Sequence, residues 1–141
     1  MTALTALNLI LRPEGTQDFR KVEELTREAF WNVNEPGCNE HYLAHILRDS
    51  PDFIAELDYV AELDGIPVGN IMYARSVIRI SESSLFQVLT FGPVSVLPAL
   101  QGKGIGSALI THTLELAQRL GHTAVVIYGD PAYYGRFGFK A

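Results

Sequence analysis

The chain of 141 residues has the length of one domain and is long enough to bury one substantial core. Apolar residues make up 48% of it and charged residues 19%, a balance that excludes an intrinsically disordered chain. The formal net charge is −5 and Lys and Arg form no cluster, which argues against nucleic acid as a partner.

Cysteine usage and the apolar runs point to a cytoplasmic protein. Cys38 is the single cysteine, so neither an internal disulfide bond nor a multi-cysteine metal site is expected. Residues 1–15 lack the basic region that begins a signal peptide. No apolar run approaches the roughly 20 residues of a membrane span. We therefore expect a cytoplasmic location and no membrane partner.

The first part of the chain predicts a strand and two helices. Residues 7–12 are short, apolar and stopped by Pro13, which is typical of a strand. Thr16 offers an N-cap for a helix whose apolar residues recur at helical spacing, namely Phe19, Val22, Leu25, Ala29 and Phe30. Residues 34–37 break this helix. Residues 40–48 predict a second, shorter helix with an apolar side formed by Tyr42, Leu43, Ile46 and Leu47.

The second part predicts three strands, a helix, another strand and a helical turn. Residues 59–63 and 66–74 flank Asp64-Gly65, a favoured tight-turn pair, and form a hairpin. A strand over 86–96 follows. The next helix runs from about residue 104 to 120 and ends at Gly121. Residues 123–128 predict a buried strand, and a last helical turn begins at 130–131. We find no repeats and expect one domain over residues 1–141.

Three glycines at alternate positions, Gly102, Gly104 and Gly106, directly precede the long helix. A helix N-terminus presents unpaired N–H groups and a partial positive charge, so it attracts phosphate. Glycines let an anion approach without obstruction by Cβ, and Lys103 adds charge. This pattern favours a phosphate-binding turn over one in which the glycines only satisfy geometry.

Two common phosphate motifs do not fit this segment. In a P-loop, Leu97 would have to be glycine and Gly104 would have to be Ser or Thr. In the dinucleotide fingerprint the position of the third glycine holds Ser107, and the segment comes late in the chain. A dinucleotide-dependent oxidoreductase is therefore a weaker alternative.

The strand before the glycines is interrupted by Gly92-Pro93. Proline cannot donate a ladder hydrogen bond, and glycine within a strand often marks a bulge, so we expect a bend there. If the strand then diverges from its neighbour, the backbone groups of Val94, Ser95 and Val96 become free to pair with an extended ligand. An ordinary bulge on an edge strand is the alternative.

Together, the stretches 94–96, 101–106 and 134–139 resemble the GNAT superfamily of acetyl-CoA-dependent N-acetyltransferases. The acyl-CoA signature of that family, Gln/Arg-x-x-Gly-x-Gly/Ala, is filled by Gln101, Gly104 and Gly106. The family's downstream Tyr-x-x-x-Gly-Phe pattern is matched by Tyr134, Gly138 and Phe139. The element order also matches. The resemblance implies an α/β (α+β) fold with a mixed, mostly antiparallel sheet flanked by helices.

The resemblance also implies an activity and residue roles. The protein would transfer acetyl from acetyl-CoA to a primary amine by direct attack. Val94, Ser95 and Val96 would contact the pantetheine arm, and Tyr134 would be the general acid that protonates the leaving thiolate. Packing of Tyr134 beside neighbouring aromatic residues is the structural alternative. The CoA pyrophosphate would be held by the segment Gln101, Gly102, Lys103, Gly104, Ile105, Gly106 and Ser107.

Three residues are weak candidates for the general base: Glu35, Glu40 and His41, which lie in the segment that flanks the acceptor pocket in this family. Each also suits a solvated loop or helix start. Cys38 has no Cys-His-Asp arrangement in the sequence, so we expect no covalent acetyl-enzyme. The remaining histidines lack metal-ligand spacing, and we expect no metal.

The chain departs from the family pattern after Phe139. GNAT domains usually continue with two further strands, whereas this sequence stops at Ala141. We therefore expect the C-terminal strands to be missing and residues 123–128 to form a bare sheet edge. Either a homodimer covers this edge, or the chain is truncated at its C-terminus. A non-catalytic acyl-CoA-binding or regulatory domain is the alternative function. Small amines, amino acids, antibiotics and protein amines are all candidate acceptors.

Overall fold

A four-stranded sheet flanked by helices organises the chain in the computed structural model, which describes residues 8–33, 36–127, 129 and 131–140. The strands are β1 (Leu9–Pro13), β2 (Tyr59–Leu63), β3 (Ile66–Ser81) and β4 (Ser84–Val96). They lie side by side in sequence order, and every neighbouring pair is antiparallel. The expected α/β class, with a largely antiparallel sheet between helices, is confirmed.

Four α-helices, besides short 3₁₀ turns, complete the described part of the chain. Two of them, α1 (Phe19–Phe30) and α2 (Glu40–Leu47), lie between β1 and β2 in the sequence. The long helix α3 (Ile105–Arg119) and the short α4 (Pro131–Tyr134) follow β4. Gly121 follows α3 with a φ of 93°, as a C′ glycine does. No helix in the described ranges is long and apolar enough to cross a membrane.

The hairpin predicted at Asp64-Gly65 is confirmed, and the sheet contains a second hairpin that was not predicted. Asp64 and Gly65 have φ values of 52° and 82°, and positive φ at both central residues is the mark of the type I′ turn that suits a two-residue hairpin. The strand expected over residues 66–74 is longer than predicted: β3 continues to Ser81, and only two residues separate it from β4, so these two strands form the second hairpin.

A bulge bends β4 at Gly92-Pro93. Ile71 lies opposite Val94 and Tyr73 lies opposite Phe91, so two residues of β4 face Met72 alone. The expected interruption of the ladder is confirmed, and its cause is the one that the sequence suggested, since proline cannot donate to β3.

Each face of the sheet carries its own apolar cluster. Helix α3 packs on one face, where the hydroxyl groups of Tyr73 and Thr113 lie 2.8 Å apart in a buried hydrogen bond. Helices α1 and α2 cover the other face, and the buried residues there are Val22, Leu25, Ala44, Val60 and Met72. The chain therefore has two helical layers that sandwich one sheet.

Three local predictions are wrong. Helix α1 begins at Phe19 rather than after a cap at Thr16, because the Asp18 carboxylate accepts the Gly15 N–H at 2.8 Å and a 3₁₀ turn precedes the helix. Helix α2 faces the sheet through Ala44, which leaves three residues of its expected apolar side exposed: Tyr42, Leu43 and Ile46.

Residues 123–128 were expected to form a buried strand, and this is the third correction. Within the described residues 123–127 the backbone reaches β4 only at Leu89, through one parallel bridge to Val125. Two hydrogen bonds, from Leu89 N to Ala124 O and from Val126 N to Leu89 O, are too few to continue a ladder. The edge strand of the sheet on this side is consequently β4.

A buried ionic network ties the first helices to the sheet. Arg48, at the end of α2, donates to both carboxylate oxygens of Glu14 at 2.9 and 2.8 Å and to Glu23 of α1 at 2.6 Å. The buried Asp58 lies next to Glu14 and accepts a hydrogen bond from Asn70 Nδ2 at 3.1 Å. Burial, with a further contribution from Glu14, raises the pKa of Asp58 to about 9.

Replacing Asp58 by Asn is expected to flatten the pH dependence of stability. The folded protein holds a proton on Asp58 that the unfolded chain releases near pH 4, so this contribution to stability is present below pH 4 and is lost as the pH rises towards 9. Asn cannot titrate. Denaturant unfolding between pH 6 and 9 should show a steeper loss of unfolding free energy in the wild type than in Asp58→Asn.

Asp52→Asn is the matched control, because Asp52 is exposed. It should leave the pH profile of the wild type unchanged. Parallel profiles for the wild type and Asp58→Asn would contradict the assignment of the proton to Asp58.

Candidate functional site

A cleft of about 440 Å³ opens between the end of β4 and the first turn of α3. The C-terminal turn around α4 closes its third side. The lining residues come from all three elements and from the segment that joins the first two: Val94, Val96, Leu100, Gln101, Gly102, Gly104, Ile105, Gly106, Ser107, Ile110, Tyr133, Tyr134 and Arg136. Residues that are up to 42 positions apart in the sequence therefore share one surface.

The first wall is the outer edge of β4 after the bulge. Leu97 N–H donates to Val68 O at 3.0 Å, so Leu97 faces β3. Because the backbone groups of an antiparallel strand alternate in direction, those of Val94 and Val96 point away from β3. Val96 O already accepts a hydrogen bond from Gln101 Nε2 at 3.1 Å, so it is not free as the sequence suggested.

Ser95 is not brought into the cleft. It lies opposite Asn70 in the β3–β4 ladder. Its side chain is fully buried on the other face of the sheet, where Ser95 Oγ donates to Thr26 Oγ1 of α1 at 2.9 Å. Strand alternation accounts for this placement: the side chains of Val94 and Val96 lie on the α3 face of the sheet, so the side chain of Ser95 between them lies on the opposite face.

The second wall is the glycine turn at the start of α3. Gly102 and Gly104 have φ values of 79° and 89°, a conformation that strongly favours glycine. Gly104 is the N-cap, and its carbonyl accepts the first helical hydrogen bond from Ala108 N at 3.0 Å. The N–H groups of the first turn therefore lack helical partners beside the cleft.

Gly106 and Lys103 differ in their relation to this wall. A Cβ at Gly106 would lie 3.7 Å from Val96 Cγ2 and 3.9 Å from Val94 Cγ1, so the missing side chain leaves the floor of the cleft open. Lys103 is exposed and does not line the cleft. The structure thus places six of the seven predicted residues of the turn along the cleft, with Lys103 as the exception.

The third wall is aromatic and contains Tyr134. Its ring centroid lies 4.9 Å from that of Tyr133 and 6.0 Å from that of Phe91. A Cβ at Gly129 would overlap the Tyr134 ring, so a side chain at position 129 would displace that ring. Burial, together with the nearby Tyr133, raises the pKa of Tyr134, and its phenol is protonated at neutral pH.

Arg136 is a residue that the sequence reasoning missed. It is the one cation among the described residues that line the cleft. Its Nη2 donates to Ser107 Oγ at 3.2 Å, and its guanidinium lies 4.4 Å from the centroid of the Tyr133 ring. The signal was present, because Arg136 stands within the same stretch as Tyr134. It places a fixed positive charge beside the first turn of α3.

Two of the three base candidates, Glu40 and His41, are described by the structure and do not line the cleft. Glu40 begins α2, and its Oε1 accepts from Asn39 N at 3.2 Å. His41 Nδ1 lies 3.4 Å from Cys38 Sγ. Glu35 lies outside the described residues. No group of three or more potential metal ligands occurs among the described His, Cys, Asp and Glu residues.

The geometry suits an extended ligand with an anionic end. Outward backbone groups of β4 can pair with a linear chain, the helix start and Arg136 can bind phosphate, and a neutral phenol can donate a proton. These three capacities meet along one cleft.

The family model described as "Acetyltransferase (GNAT) domain" matches residues 56–141. The uncharacterized N-acetyltransferase YjhQ of Escherichia coli K12 is 33% identical over 124 residues, which are 87% of this chain and 65% of YjhQ. The chain therefore spans just under two thirds of the length of this relative.

Two solved structures share the fold and were determined with related ligands. A GNAT family acetyltransferase from Brucella melitensis in complex with acetyl-CoA has a TM-score of 0.83 and 36% identity, with 94% of this chain and 83% of that chain covered. Escherichia coli YhbS in complex with CoA has a TM-score of 0.78 and 28% identity, with 94% and 68% covered. Fold, motifs and relatives agree: the chain belongs to the GNAT superfamily of acetyltransferases.

Proposed function

We propose that the protein transfers an acetyl group from acetyl-CoA to a primary amine by direct attack. The observation that carries the proposal is the convergence of three elements on one cleft: the outward edge at Val94 and Val96, the first turn of α3, and Tyr134. The presence of acetyl-CoA or CoA in the two related structures supports the choice of donor.

Backbone groups would hold most of the donor. The N–H groups of Ile105, Gly106 and Ser107 lie in the first turn of α3, where the helix dipole favours the CoA pyrophosphate. The outward groups of Val94 and the N–H of Val96 would pair with the amides of the pantetheine arm as a neighbouring strand does. The open floor at Gly106 leaves room for this arm.

The chemistry requires one proton donor and one proton acceptor. The amine nitrogen bonds to the thioester carbonyl carbon, the C–S bond breaks, and the sulfur takes the Tyr134 phenolic proton. The proton lost from the amine passes to a base or to water, and Tyr134 regains a proton from solvent. A thiol has a pKa of about 8.5, and the raised pKa of Tyr134 keeps the donor protonated until the thiolate forms.

Glu35, Glu40 and His41 are the proposed candidates for the base. Glu40 and His41 lie at the start of α2 and outside the cleft lining, so either would act through water. Single replacements, Glu35→Gln, Glu40→Gln and His41→Gln, distinguish them by which one removes the acidic limb of the rate profile.

The function is tested by acetyl-CoA turnover with a panel of amines, after thermal shift has shown that CoA stabilises the fold. We expect CoA release that depends on one class of amine. Stabilisation by CoA without turnover of any amine would contradict the enzyme and favour a non-catalytic acyl-CoA-binding domain. Stabilisation by NAD instead would contradict both.

Tyr134→Phe is expected to lower kcat by about 100-fold or more, because the variant keeps the ring and loses only the donated proton. KM for acetyl-CoA should change little. Tyr133→Phe is the matched control, since Tyr133 lines the same wall. Undiminished turnover by Tyr134→Phe would remove Tyr134 from the general-acid role.

Gly106→Val is expected to weaken CoA binding by about tenfold or more, which corresponds to about 1.4 kcal/mol. The added side chain would enter the cleft next to Val94 and Val96. Gly135→Val is the control, because a Cβ at Gly135 has nothing within 4 Å and Gly135 does not line the cleft. Calorimetry on both folded variants makes the comparison, and unchanged affinity in Gly106→Val would refute the placement of CoA.

Arg136→Gln is expected to weaken the binding of CoA by about tenfold and to leave the binding of phosphate-free acetyl-pantetheine unchanged. The reason is that Arg136 would interact with the phosphate charge of CoA. Lys103→Gln should change neither affinity, since Lys103 is exposed outside the cleft. Equal losses for both ligands would show that Arg136 only supports the fold of the aromatic wall.

A further inference from the structure

The hairpin of β3 and β4 extends beyond the helices and exposes apolar residues. Leu85 and Phe86 of β4 are 58% and 45% exposed, although both types are normally buried. Val77 and Ile78, which lie on the neighbouring part of β3, are also exposed. Leu85 and Val77 lie on the same face of the hairpin as Leu89 and α3. Phe86 and Ile78 lie on the opposite face, so this end of the hairpin is apolar and exposed on both sides.

The backbone of β4 presents a free edge at the same place. Leu89 N–H donates to Ala124 O, and Leu89 O accepts from Val126 N–H, so the backbone groups of Leu89 point away from β3. Because backbone groups alternate along a strand, the N–H and C=O groups of Leu85 and Gln87 also point away from β3. No backbone group of the described residues pairs with them there.

This edge lacks the features that usually prevent strand pairing. Residues 84–88 read Ser-Leu-Phe-Gln-Val, with no charge, no proline and no glycine. Soluble proteins blunt exposed edges with charge or proline. The opposite edge strand, β1, has both, at Arg12 and Pro13. An edge that is uncharged, apolar and unpaired is a template for another strand.

We propose that this edge pairs with the same edge of a second copy of the chain. In a two-fold, antiparallel arrangement centred on Phe86, Leu85 of each copy faces Gln87 of the other and they exchange backbone hydrogen bonds. The two Phe86 side chains meet at the axis. The result is a continuous eight-stranded sheet.

The absence of charge at this edge favours a second copy over a charged partner. Because residues 84–88 carry no charge, two copies bring no like charges together, and a charged peptide gains no ion pair there. Isologous pairing also uses up both edges, so the assembly closes at two copies instead of growing. Only one short stretch of β4 from each copy enters this contact, so the interface is at the small end of the range for specific complexes and we expect a dimer of micromolar affinity.

The arrangement is tested by oxidative cross-linking in a Cys38→Ser background, which removes the native thiol. Phe86→Cys should cross-link, because a residue on the axis of an antiparallel pair faces itself in a non-hydrogen-bonded position with Cβ atoms close together. Gln87→Cys should cross-link far less, since it faces Leu85. Cross-linking at 87 and not at 86, or at neither, would overturn the proposed pairing.

Light scattering at about 100 μM protein tests the association without cysteines, at a concentration that detects micromolar dissociation constants. The wild type should be a dimer, and Leu85→Lys should dissociate it at least tenfold more readily. Ile10→Lys, at an exposed apolar position on the opposite edge, should remain a dimer. A monomeric wild type would overturn the proposal. CoA-induced thermal shift in Leu85→Lys reports on the cleft separately, so loss of the dimer and failure of the proposed function are distinguishable.

Discussion

The single extra residue in β4 determines which backbone groups point outward, and which side chains face each helical layer, in the two halves of this strand. Before the bulge at Gly92-Pro93, the backbone groups of odd-numbered residues such as Leu89 face outward. After it, the even-numbered Val94 and Val96 do. One inserted residue therefore changes the phase of the strand and lets both halves of β4 keep apolar side chains on the α3 face. Without this change, Ser95 would face the cleft and both valines would face α1.

The two halves of β4 consequently serve different purposes. The half after the bulge borders the cleft, where the helix start, the outward backbone and a protonated phenol lie together. The half before it continues past the helices as an uncharged edge. The sheet supplies rigidity to both, because β3 runs alongside β4 for almost its whole length. The ionic network around Arg48 holds α1 and α2 against the far face and leaves the cleft side to α3 and the C-terminal turn.

Features governed by local backbone rules could be predicted from the sequence. The Asp64-Gly65 turn, the bulge at Gly92-Pro93 and the glycine turn before α3 each follow from the allowed φ values or the missing donor of a few residues. The family motifs depend on the same local constraints, which is why they identified the fold and the three walls of the cleft.

Features that depend on packing between distant segments could not be predicted in the same way. The exposure of one side of α2 follows from its approach to the sheet through Ala44. The buried Asp58 requires β1, α2 and β3 to be in place at once. Residues 123–127 have strand-like composition, but they meet β4 at one residue only. Arg136 is placed at the cleft beside Ser107, which is 29 positions away in the sequence. The orientation of Ser95 away from the cleft, in contrast, could have been predicted from strand alternation alone.

The central claim is that the outward groups of β4 after the bulge receive the pantetheine arm of CoA. Amide hydrogen exchange of Val94 and Val96, measured by NMR with and without saturating CoA, tests it most directly. The account predicts that exchange at Val94 and Val96 slows on binding, together with Gly106, while the already paired Ser95 amide changes little. Saturation by CoA with unchanged exchange at Val94 and Val96 would contradict it.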